Sequence, residues 1–116
     1  MGRYAWLAAL LLGLTAAAAK DQAPQPRVIA ISAKKFEFTP SEIKLKKGEP
    51  VILELTALDR THGFKVPDLG IRVDVTTSAV VRVPVTPLKA GTFDFSCDVF
   101  CGMGHEDMTG QIVVEE

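Results

Sequence analysis

The chain reads as an all-β domain: a Greek-key β-sandwich or barrel of seven to eight strands behind an N-terminal export segment. Three observations predict this. After residue 20, no segment repeats its apolar residues at the 3.6-residue spacing of a helix. Short runs alternate apolar and polar residues instead, or are rich in Val and Ile, as strands with one or two buried faces require. Clusters of Gly, Pro, Asp and Ser cut these runs at close intervals.

Taken in order, Arg27–Ala33 is a β-branched first strand. Phe36-Glu37-Phe38 alternates until Thr39-Pro40-Ser41 breaks it. In Glu42–Lys46, Ile43 and Leu45 share a face opposite the charges, and Lys47-Gly48-Glu49-Pro50 then turns the chain. Val51–Ala57 is more continuously apolar and reads as a buried strand. Thr61–Val66 is short and is stopped by Pro67-Asp68-Leu69-Gly70. Ile71–Val75 alternates cleanly. In Ala79–Val85, Pro84 lacks an N–H to give a neighbour and predicts an edge. Lys89-Ala90-Gly91 leads into Thr92–Ser96, with Phe93 and Phe95 on one face, and Gln111–Glu115 closes the chain. The expected pairing is antiparallel. A core of Val, Ile, Leu and Phe from two sheets suffices for a domain spanning residues 27–116.

Ahead of that domain, residues 1–19 have the build of a secretory signal. Arg3 gives a positive start, Tyr4–Leu14 is apolar apart from Gly13, and Ala17-x-Ala19 offers small residues to a signal peptidase. The competing reading is a single membrane anchor. The apolar run Tyr4–Ala19 has 16 residues, against about 20 for a spanning helix. Residues 20–26, with Pro24 and Pro26, read as a flexible lead. The expected location is periplasmic or otherwise outside the cytoplasm, with a possible membrane tether. There, paired thiols are free to oxidise. A net charge of −1 argues against nucleic acid as a partner.

The chemistry is concentrated in Cys97–Met108. These twelve residues hold both cysteines, one of two histidines and two of three methionines. Thiolate, imidazole and thioether together select copper, and zinc to a lesser degree. The spacing is Cys97-x3-Cys101-x3-His105-x2-Met108, between two predicted strands, and Gly102, Gly104 and Gly110 let the backbone curl. Two thiolates four residues apart can both bridge a pair of metal ions. A pair of ions also calls for a second imidazole, and His62 is the candidate outside the loop.

Cys97-x3-Cys101-Gly102-x2-His105-x2-Met108 resembles the binuclear copper A motif of the cupredoxin superfamily, as in cytochrome c oxidase subunit II and nitrous-oxide reductase. His62–Asp74 is similar to the segment carrying that family's first histidine ligand. Phe38–Ile43, followed by Lys47-Gly48, resembles the opening of many cupredoxins. The resemblance implies a cupredoxin-like fold and a two-copper site. Cys97 and Cys101 would be bridging thiolates and His62 and His105 terminal imidazoles. Met108 would be a weak thioether ligand, and Val99 would lend its backbone carbonyl. It also implies electron transfer, with a c-type cytochrome or a terminal oxidase or reductase as partner. Val99 stands where the family usually has glutamate. Trp6 and Tyr4, the only residues of their kinds, lie in the leader rather than in an electron-entry patch. With at most one apolar segment, the resemblance points to a free-standing copper domain.

Phe64, Phe95, Phe100 and Val99 are candidates for an apolar shell around the metals, with core packing the plainer role for Phe95. Asp98, Glu106, Asp107 and Asp68 are candidates for an acidic rim that steers a basic partner. Other readings use the same residues. A periplasmic chaperone or buffer would hold one Cu(I) in an exchangeable site. A mononuclear blue-copper carrier would leave Cys101 surplus. A Cys97–Cys101 disulfide without metal explains neither His105 nor Met108. Catalysis by the chain alone lacks a third group beside a Cys–His pair.

Overall fold

The computed structural model describes residues 25–100 and 102–116. The expected leader, the lead through Pro24, and Cys101 lie outside the described residues. Nine strands form among them: β1 (Arg27–Lys34), β2 (Glu37–Thr39), β3 (Glu42–Lys46), β4 (Val51–Ala57), β5 (His62–Val66), β6 (Ile71–Val75), β7 (Val81–Val85), β8 (Gly91–Ser96) and β9 (Thr109–Glu115). The count exceeds the expected seven to eight because the three residues of β2 pair with β1, Ala33 facing Phe38.

The strands make two sheets, ordered β2-β1-β4-β7 and β3-β9-β8-β5-β6. β7 lies at an edge, as Pro84 requires. The expectation of antiparallel pairing throughout needs correcting. β1 runs parallel to β4, Arg27 facing Val51, and β3 runs parallel to β9, Glu42 facing Gln111. The cause is the crossing between sheets. After β2 the chain leaves the first sheet to form β3 in the second, then returns as β4 beside β1 in the same direction. Alternation within a strand encodes which face is buried but not the direction of its neighbour.

Both inner faces carry the side chains that alternation predicts. In β4, Val51, Leu53, Leu55 and Ala57 point inward, and in β3 Ile43 and Leu45 do so. At one end of the sandwich Phe38, Phe64 and Phe95 are fully buried and meet, with ring centroids 5.0–5.8 Å apart in tilted and edge-on arrangements. Such contacts add to plain burial. Phe64 lies two residues after His62, and Phe95 two before Cys97. The period of two therefore puts His62 and Cys97 on the same inner face, immediately beyond the aromatic cluster. No helix among the described residues is long and apolar enough to cross a membrane.

Phe95 is thus a packing residue first. Phe95→Ala is expected to cost about 3–5 kcal/mol of unfolding free energy. Chemical denaturation of the metal-free protein measures it.

Candidate metal centre

The loop that carries the soft side chains is the connection between β8 and β9. The ladder from Phe95–Gly110 to Ser96–Thr109 continues one step further, where Cys97 N–H donates to the Met108 carbonyl at 3.1 Å. The two ends of the twelve-residue stretch are therefore tied together. Within it, Asp107 N–H donates to Gly104 O and Met108 N–H to His105 O, both at 3.1 Å. These bonds wind His105–Asp107 into one 3-10 turn.

His62 opens β5 and is fully buried, the one buried polar or charged side chain among the described residues. A buried imidazole needs partners for both nitrogens. Its Nε2 lies 2.7 Å from Asp59 Oδ1, and its Nδ1 faces Cys97 Sγ at 3.9 Å. A carboxylate accepts and does not donate, so Nε2 carries the proton and Nδ1 turns its lone pair toward the sulfur. Asp59 is itself anchored, accepting from Lys35 N–H and Arg60 N–H at 2.8 Å each. Its acid is held at about 2, against an ordinary 3.8. Burial is the largest single influence and pushes the other way; the Lys35, His62 and Arg60 contacts together outweigh it.

Cys97 is 5% exposed. Its sulfur receives the Gly63 N–H at 3.4 Å and lies 3.2 Å from the Val99 carbonyl oxygen. Imidazole nitrogen, sulfur and a backbone carbonyl thus face one another from β5 and the start of the loop. The 3.9 Å between Nδ1 and Sγ is below the sum of two first-row metal–ligand bonds, about 4.3 Å. One ion reaches both. The donor set is mixed nitrogen and sulfur, which suits copper.

The remaining predicted ligands are placed less completely. Met108 is fully buried in the same cluster as Cys97, Phe64 and Phe95. His105 sits on the 3-10 turn, its ring 5.6 Å from that of Phe100. Cys101 lies outside the described residues. Among those described, no three His, Cys, Asp or Glu side chains gather as a metal-binding group.

A family model for the cupredoxin-like domain matches residues 4–114. The chain belongs to the cupredoxin-like family. It is 32% identical over 93 residues to a cytochrome c oxidase subunit 2 of Thermus thermophilus, covering 80% of this chain and 69% of that one. It is 34% identical over 91 residues to the nitrous-oxide reductase of Cupriavidus necator, covering 75% of this chain but only 14% of that enzyme. The periplasmic domain of subunit II of cytochrome oxidase from Bradyrhizobium japonicum has the same fold, with a TM-score of 0.72 at 19% identity. That likeness covers 82% of this chain and 88% of that one.

In this cupredoxin-like domain, several residues that position the site escaped sequence reasoning. Asp59 is one; the available signal was an acid three residues ahead of His62 in a polar turn. Phe36 is another. Its ring lies under the loop, where a Cβ added at Gly102 or Gly104 would come within 2.9 or 2.7 Å of it. Of the expected apolar shell, Phe64 and Phe95 are buried and Val99 is partly buried against the core, while Phe100 is 67% exposed. The acidic rim also changes. Asp98 is held by Arg72 and Asp68 lies at the far end of β5, leaving Glu106 and Asp107 exposed beside the loop.

The depressed acid of Asp59 sets a pH dependence for the metal-free protein. An acid whose value falls on folding stabilises the fold above its unfolded value. That contribution is lost as pH drops through the folded value. The melting-temperature advantage of wild type over Asp59→Asn is expected to be full above about pH 4 and gone near pH 2. Thermal melts across that range measure it.

Proposed function

We propose that this cupredoxin-like domain is an exported electron carrier that holds a two-copper centre of the copper A type. The observation that carries the reading is the meeting of His62 Nδ1 and Cys97 Sγ, 3.9 Å apart and shut away from solvent. The residues that would hold the centre are Cys97 and Cys101 through thiolate, His62 and His105 through imidazole, Met108 through thioether and Val99 through its carbonyl. Copper, when bound, supplies one-electron redox chemistry.

The chain's own residues make that chemistry fast by moving little. Asp59 fixes the orientation and tautomer of His62. The Gly63 N–H steadies negative charge on Cys97 sulfur. The Phe38–Phe64–Phe95 cluster keeps water out from below. Metal content and spectrum test the reading together. Two equivalent copper nuclei of spin 3/2 split one shared electron into seven lines. The expected result is two coppers per chain, a purple colour and that seven-line pattern, all lost in Cys101→Ser. A colourless protein that binds one Cu(I) and yields it to a chelator would replace this reading with the copper chaperone or buffer.

The proposed partner is a redox protein such as a c-type cytochrome or a terminal oxidase, met outside the cytoplasm. It would dock on the apolar surface of the loop, where Phe100 and Met103 are 67% and 90% exposed. With Asp98 engaged by Arg72, steering falls to the exposed Glu106 and Asp107 and is reduced. Phe100→Ala is expected to slow bimolecular electron transfer by about tenfold, as loss of a central apolar anchor does. Raising the salt is expected to change the rate little. Stopped-flow mixing with a c-type cytochrome reads both.

A further inference from the structure

Asp98 stands between two of the proposed ligands, Cys97 and Val99, and its side chain, 31% exposed, is held by an ion pair at the protein surface. Arg72 of β6 grips it with a planar fork, Nε to Oδ2 at 2.9 Å and Nη2 to Oδ1 at 2.7 Å. The third guanidinium arm goes to Asp74. Between Arg72 and Asp98 lies Gly63, the residue whose N–H reaches the Cys97 sulfur. The register explains the meeting. Lys65 of β5 faces both Arg72 of β6 and Ser96 of β8, so two steps on, Gly63 comes opposite Asp98. A Cβ at Gly63 would lie 2.0 Å from Asp98 Oδ1 and 3.0 Å from Arg72 Nη2. The missing side chain is the slot over which the ion pair closes, and Gly63 is buried although it occupies the outward-facing row of β5.

We propose that Arg72 and Asp98 form a latch across Gly63. The latch shields the Gly63 N–H···S hydrogen bond from water and fixes the Cys97–Val99 backbone. Both are positioning residues: they act on the site through Gly63 and the loop. A forked, charge-assisted pair constrains direction as well as distance, which a lysine in place of Arg72 cannot do. Hydrogen bonds to a ligating sulfur favour the electron-rich state, so holding this one closed raises the reduction potential of a bound centre. That last consequence rests on the copper reading; the latch itself does not.

The test uses the full chain with Cys101→Ser, reduced and metal-free, so that Cys97 is the reacting thiol. The rate of its modification by an aromatic disulfide reagent reports how often the latch opens. Arg72→Ala, Arg72→Lys and Asp98→Asn are each expected to raise that rate by about tenfold or more. Asp74→Asn, which leaves the fork intact, is expected to stay within about twofold of the parent. In the copper-loaded protein with both cysteines, Arg72→Lys is expected to lower the reduction potential although the charge is kept. The latch is overturned if Arg72→Lys behaves like the parent, since charge alone then suffices. It is equally overturned if Asp74→Asn accelerates modification as much as Arg72→Ala, or if the rates merely track melting temperature. Should Arg72→Ala fail to fold, Arg72→Lys carries the comparison. Should the wild-type chain bind no copper, the electron-carrier reading fails while the thiol rates still decide the latch.

Discussion

A fully buried imidazole has to have both ring nitrogens answered, and the candidate centre is built around how this chain does it for His62. Leaving either nitrogen bare in an apolar interior costs several times what an ordinary hydrogen bond contributes. Asp59 answers one nitrogen and in doing so forces the other lone pair toward Cys97. Asp59 in turn is held by the backbone N–H of Lys35, so the end of β1 has a part in orienting a side chain on β5. The geometry of one pair of atoms is distributed over both sheets.

The loop from Cys97 to Met108 is fastened in the same distributed way. Its ends are joined by the Cys97–Met108 backbone bond, and a turn of 3-10 helix stiffens its middle. From outside, Phe36 lies beneath Gly102 and Gly104, Arg72 holds Asp98, and the Arg60 guanidinium reaches the Phe100 carbonyl at 3.5 Å. These contacts come from three separate parts of the chain. A loop held at several points has little freedom to rearrange when its charge changes. That suits the proposed role, in which a bound centre would accept and release an electron with small nuclear movement.

Much of this was legible in the residues. Alternation and turn chemistry marked eight of the nine strands, and Pro84 marked the edge. The Cys, His and Met spacing singled out the loop because soft ligands rarely crowd by accident. The strand directions were not legible: whether β1 meets β4 parallel or antiparallel depends on a crossing between sheets that no local pattern records. That Asp98 is tied up rather than free in the expected acidic rim was not legible for a similar reason. A sequence displays charges one at a time, and Asp98 finds Arg72 twenty-six positions away only after β5, β6 and β8 lie side by side.

By itself, then, the sequence determined the secondary structure and the chemical inventory, since both follow from the identity and spacing of neighbouring residues. The tertiary structure decided how that inventory is used. It set His62 against Cys97, gave His62 its carboxylate, and laid an ion pair over Gly63. These are contacts between residues distant in the chain. Their existence depends on strand register and sheet crossing, which are settled by burying two apolar faces against each other rather than by any short stretch of residues.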